Sequence, residues 1–215
     1  MTDVADSKWS GHRPDGPPAG VLALIALGFS VAAAVAYGAD SRHWEGVFAF
    51  AASVPLGIYA ATVHARMLRL GVRVPGPNIS FFGGITASTL LAISGLTLWA
   101  QSRVDALPST VDTFVHDLVV ALGGVGFVGG LGLLIAGIAV PTLILRLAPP
   151  WLGWSGMVLA VLAEISFLTM VWSGFDVLLP LCRFAGLLWL AAIGFTLPHS
   201  RHDVPRRPAA AAGRR

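Results

Sequence analysis

A glutamate and an arginine stand inside stretches that are otherwise almost wholly apolar. Glu164 is flanked by Val161-Leu162-Ala163 and Ile165-Ser166-Phe167, and Arg183 by Leu181-Cys182 and Phe184-Ala185. In hydrocarbon a lone charge costs at least about 2.5–3.5 kcal/mol on insertion scales. Pairing lowers that cost, and a guanidinium can hold a carboxylate through two parallel hydrogen bonds. If the two stretches are antiparallel helices joined by a turn at 173–176, Glu164 lies roughly 13 Å and Arg183 roughly 10 Å from their shared end, at 1.5 Å per residue. The spacing therefore predicts an intramembrane ion pair, Glu164–Arg183. Such a pair reads either as part of an ion or proton pathway or as a clasp that fixes two helices in register. Tyr59, Thr62, Thr86 and Ser88 are candidate further polar contacts from other spans.

The remaining chemistry-bearing residues do not assemble into a catalytic set. A haem held by two histidines needs both ligands at one depth on facing helices. His64, His199 and His202 fall at one predicted membrane face, and His43 and His116 at the other, so no haem is expected. His116, Asp117 and Asp112 could approach a metal, but adjacent helical residues diverge and no third ligand is evident. No metal and no other cofactor is expected. There is no phosphate loop, zinc motif or dinucleotide fingerprint, and Ser155 in Gly153-Trp154-Ser155-Gly156 lacks an acid and a base at useful spacing. No catalytic residue is assigned, and the chain reads as a non-catalytic protein.

The elements that must position these residues follow from composition. The chain has 215 residues, 55% hydrophobic and 12% charged, with a mean hydropathy of +0.76. Soluble domains carry about 25% charged residues, and one soluble core of this size could not bury so much apolar surface. Six segments approach the roughly 20 apolar residues that a spanning helix needs: 19–39, 47–67, 79–101, 118–144, 151–172 and 177–197. The expectation is an all-α membrane bundle of six transmembrane helices over 19–198, with disordered tails at 1–18 and 199–215. Both tails are poor in residues that could offset chain entropy by burial.

Lysine and arginine set the orientation. With both termini cytoplasmic, that side holds Arg66 at the end of a span, Arg69, Arg73 and Arg146 in loops and seven more basic residues in the tails, against Arg42 and Arg103 outside. The basic balance, with a pI of about 9.8, is thereby explained without a nucleic-acid partner. Tryptophans agree: Trp44, Trp99 and Trp172 fall at predicted outer ends and Trp151 and Trp154 at an inner end, where an indole has both apolar contact and a hydrogen-bonding N–H. A competing interpretation makes the first span a signal peptide, with Ala34-Val35-Ala36 as its cleavage site. Cys182 is the only cysteine, so no intrachain disulfide forms.

Small residues suggest how the helices meet. Seven glycines lie between Gly123 and Gly137. Gly126 and Gly130 form a GxxxG pair, and Gly84, Ser88 and Ala92 form a similar stripe on the third span, which predicts close contact between spans three and four. Pro141 should kink or stop the fourth helix. Pro55 and Pro180 open the similar strings Pro55-Leu56-Gly57-Ile58-Tyr59-Ala60 and Pro180-Leu181-Cys182-Arg183-Phe184-Ala185 near the expected outer ends of spans two and six, a hint of a duplicated hairpin.

His116, the glycine-rich span with Gly130 and Gly137, and the restart Pro150-Trp151-Leu152-Gly153-Trp154 carry a resemblance. Over residues 111–197 the chain resembles a broad family of small six-helix bacterial membrane proteins classed as domains of unknown function. The resemblance implies a helical membrane bundle and brings no activity, substrate or catalytic residue. Ala-, Val- and Arg-heavy usage also suits a bacterial cytoplasmic membrane. The functional expectation is a protein that binds lipid, a hydrophobic small molecule or a partner membrane protein, including a second copy of itself. The alternative is a small transporter or ion pathway through the Glu164–Arg183 pair, with a membrane enzyme or redox subunit behind it.

Overall fold

In a computed structural model, residues 18–104 and 107–198 are described. The expectations for the two tails, including His199 and His202, lie outside these residues. Among the described residues the chain is all helical, with six helices long and apolar enough to cross a membrane. This is a multi-pass membrane protein.

Helix α1 spans Ala19–Gly38, α2 Arg42–Arg69 and α3 Gly76–Gln101. The fourth crossing, Ser109–Leu145, is composite: α4 (Ser109–Val120), a π-helical segment (Ala121–Gly126) and α5 (Phe127–Leu145). Helix α6 (Pro150–Ile165) tightens into a 3₁₀ turn at Ser166–Met170, and after a second short turn α7 runs Leu178–Thr196. Proline punctuates the starts, because its absent N–H costs nothing in a first turn: Pro77 sits there in α3 and Pro150 in α6. Helix α2 stops in a Schellman motif. Gly71 takes φ 80°, the Val72 N–H donates to Met67 O at 3.1 Å and the Gly71 N–H to Leu68 O at 3.0 Å.

The helices close a ring. Helix α7 packs on α1, α1 on α2, α2 on α3, α3 on α5, α5 on α6, and α6 on α7, the last contact being slight. Tyr59, Phe127, Leu56, Leu131, Leu134 and Leu190 are buried at its centre. Gly194 near the end of α7 lies so close to Gly20 at the start of α1 that a Cβ would fall 2.6 Å from the Gly20 nitrogen. The two described ends of the chain therefore meet at one end of the bundle. Polar clips hold the same half: Tyr59 Oη donates to Leu190 O at 2.9 Å, Arg66 Nη1 to Gly194 O at 3.2 Å and Trp189 Nε1 to Leu152 O at 2.8 Å. Leu190 O and Leu152 O lie within helices and take a further donor, as a carbonyl with two lone pairs can, whereas Gly194 O has no helical donor because Pro198 stands four residues on.

The outer surface of the ring is apolar, with Val35, Phe82, Ile144, Val158 and Leu188 exposed. Trp44, Trp99 and Trp172 are exposed towards one end and Trp151 and Trp154 towards the other, two belts suited to headgroup depth.

Several expectations need correction. Pro55 lies well inside α2 rather than near its start, whereas Pro180 is in the first turn of α7. The two similar strings therefore sit at different depths and do not mark a duplicated hairpin. Pro141 does not stop its helix, which continues to Leu145 and ends at Arg146 in the left-handed conformation, φ 52°. The contact between the third and fourth spans exists, but its residues lie one step around α3. Gly83 and Ala87 face Gly130, and Gly76 and Ser80 face Gly137, backbone on backbone. Gly84 faces chiefly Ala60 of α2 and Ser88 donates to Ser53 O of α2 at 2.8 Å, whereas Gly126 does meet α3 as expected, at the Leu90 side chain. Ala92 is half-buried.

Candidate ligand cavity

The fold does not bring Glu164 and Arg183 together. Glu164 is exposed on the flank of α6 beside Gly132 of α5, where a Cβ would stand 3.0 Å from its Oε1. It has no hydrogen-bond or ion-pair partner among the described residues. Arg183 points the other way, into the ring. The junction between the two helices is irregular, with 3₁₀ turns at Ser166–Met170 and Ser173–Phe175, and α6 and α7 are only lightly packed. Of the other candidate polar contacts, Tyr59 is buried and clips α7, Thr62 donates to Ile58 O of its own helix at 2.8 Å, Ser88 serves α2, and Thr86 is half-buried. None reaches Arg183.

What Arg183 meets was not visible in the sequence. Its guanidinium carbon lies 5.0 Å from the centroid of the Phe127 ring, a cation–π distance. Nε and Nη2 are buried with no hydrogen-bond partner among the described residues. The carboxylate whose field it feels is Glu45. These two attract across a gap and form no salt bridge; the ion pair found among the described residues is Arg42–Asp112 at 2.7 Å.

Glu45 and Arg183 line one cavity of about 330 Å³. Its walls include Ser30 and Ala34 of α1, Glu45 of α2, Ser94 of α3, Gly123 and Gly124 of the π segment, and Arg183 and Phe184 of α7, with α4 and α5 contributing valines. Most of the lining is apolar. The Ser30 hydroxyl is also buried without a partner among the described residues, while Ser94 donates to Val119 O at 3.2 Å. A wider vestibule of about 630 Å³ adjoins it. Tyr37, Glu45, Leu98, Val119 and Val120 are walls of both, so the inner cavity continues into the vestibule. The vestibule adds Arg42, Gln101 and His116. Asp112 ties this mouth together, accepting from Arg42 Nη1 and from Gln101 Nε2, each at 2.7 Å.

Local sequence explains the construction. An acid is favoured in the first turn of a helix, and Glu45 sits there in α2. The glycines of Ala121–Gly126 allow the wider π turn, a feature that often marks functional sites, and leave free volume beside Arg183. Among the described residues no cluster of three His, Cys, Asp or Glu side chains suits a metal. The arrangement can hold an ionic or dipolar group in a largely apolar chamber; it contains no nucleophile paired with a base.

Comparison with protein-family models, with curated proteins and with solved structures finds no match to this chain.

Proposed function

We propose that this is a non-catalytic membrane protein that holds an amphiphilic small molecule, a membrane lipid foremost, in the cavity between α1, α2, α3, the π segment and α7. One observation carries this: a chamber of about 330 Å³ with mainly apolar walls has a buried, incompletely bonded guanidinium in its lining. Ligand sites combine apolar lining with a few polar groups that fix orientation. Leaving such a cation unsatisfied in a low-dielectric interior is costly, and a bound polar group removes that cost.

The same reading has the chain in a bacterial cytoplasmic membrane with both tails inside, akin to the small six-helix family that its second half resembles. The skew of Lys and Arg supports this side. The cavity mouth then opens towards the outside, within reach of outer-leaflet lipid. A transport path through a Glu164–Arg183 pair has less support, because the two side chains are apart.

The test fills the chamber. Ala34 is exposed and lines it, so Ala34→Phe should occupy the space with little disturbance to packing. Native mass spectrometry of the protein extracted from membranes should find bound lipid on the wild type, reduced about tenfold in Ala34→Phe at unchanged melting temperature. Equal lipid retention by both proteins would overturn the proposal.

A further inference from the structure

We infer that the cavity selects a zwitterionic head group: a primary ammonium held by Glu45 and an anionic oxygen group held by Arg183. The inference rests on the proposed binding function and names the class of ligand.

Charge balance is the first support. One carboxylate and one guanidinium share the cavity without neutralising each other in a salt bridge. A simple anion bound at Arg183 would leave an uncompensated negative charge, and a simple cation at Glu45 would leave Arg183 unsatisfied, each expensive away from water. A ligand carrying one charge of each sign satisfies both residues and leaves the chamber neutral.

The second support is the bonding capacity of Arg183. One flat face lies against Phe127, and at the guanidinium edge Nε and Nη2 are buried without a partner among the described residues. These two adjacent N–H groups match two oxygens of one phosphate or carboxylate. Ser30 supplies a further buried hydroxyl without a partner among the described residues in the same lining.

Depth gives the order of the two charges. Glu45 lines both the vestibule and the inner cavity, whereas Arg183 lines the inner cavity but not the vestibule. The ammonium therefore sits nearer the mouth and the anionic group deeper. A phospholipid in the leaflet at the mouth presents that sequence, with its amine outermost, its phosphate below and its acyl chains deeper still. The chains leave past Ala34 and Phe184, where α1 and α7 both border the chamber; the tight approach of those helices, Gly20 against Gly194, is at the opposite end. A primary ammonium donates hydrogen bonds to a carboxylate, which a quaternary one cannot. Ethanolamine phospholipid thus fits better than choline phospholipid. A free solute with the same two groups could reach Glu45 and Arg183 through the vestibule.

The full-length protein in nanodiscs containing equal amounts of phosphatidylethanolamine, phosphatidylcholine and phosphatidylglycerol tests this, read by native mass spectrometry after release. Retained phosphatidylethanolamine should exceed each of the others about tenfold, the worth of a charge-assisted hydrogen bond. Glu45→Gln should abolish the preference over phosphatidylglycerol while lipid is still retained, and Arg183→Met should lower retention of both. O-phosphoethanolamine raising the melting temperature of the wild type but not of Arg183→Met, with no lipid preference, would assign the same chemistry to a water-borne ligand. Lipid retained without head-group preference, and lost in Ala34→Phe, would overturn this inference and leave the cavity as a binding site. Retention unaffected by Ala34→Phe would overturn both.

Discussion

At the scale of single residues, two ionisable groups inside apolar stretches were visible from composition, and their partnership was not. Depth along each helix put Glu164 and Arg183 level, but a level pair meets only if both side chains face the same way. Facing depends on how the intervening turn winds, and here 3₁₀ turns separate them. The carboxylate that Arg183 does have in its field, Glu45, falls outside the span expected at 47–67, because a hydropathy window discards a charged first turn. Helix α2 begins at Arg42 and takes Glu45 into its first turn, where acids are favoured. That rule was the available signal. Glu164 gives a direct prediction. Breaking a buried ion pair costs about 3–5 kcal/mol, whereas Glu164 is exposed and unpaired among the described residues. Glu164→Gln breaks no pair and removes an ionisable group from an apolar setting, so it should not lower unfolding stability in detergent by more than about 0.5 kcal/mol, and a loss of several kcal/mol would mean that the carboxylate is engaged.

At the scale of elements, the presence of six spans and the meeting of spans three and four were legible, since run length and small-residue spacing report on a helix as a whole. The phase of the seam was not. Gly83 and Gly84 are neighbours in sequence about 100° apart on the helix, and only the bundle decides which one meets α5. Gly137→Ala would set a Cβ 2.6 Å from Gly76 O and against the Ser80 backbone. Neither can retreat without moving a helix, so a destabilisation of about 1–3 kcal/mol is expected. Gly129, eight residues earlier, has nothing within 4 Å of such a Cβ. Gly129→Ala should be neutral or stabilising by up to about 1 kcal/mol through helix propensity. Chemical denaturation of the two variants beside the wild type measures the contrast, and equal effects would contradict the seam. The π segment had a visible cause in its clustered glycines, but glycine content alone does not distinguish a wide turn from a tight contact.

At the scale of the whole molecule, the ring of helices and its apolar exterior follow from the absence of water around the spans. The chain directions put the Asp40 turn at the cavity mouth and the Arg73 turn at the other end. The charge skew predicts that Asp40→Cys in intact cells reacts with a membrane-impermeant maleimide and that Arg73→Cys does so only after lysis. The reverse pattern would invert the protein and bring the cavity to the inner leaflet. The native Cys182 is buried and should give little background. The account as a whole depends on the gap between Glu45 and Arg183 being a place for a ligand. An experimental density map of the protein in lipid nanodiscs tests this most directly. Density between the two side chains that continues towards Ala34 is the expected result; Glu45 closed onto Arg183 in a direct salt bridge, with the chamber filled by protein side chains, would exclude a ligand there.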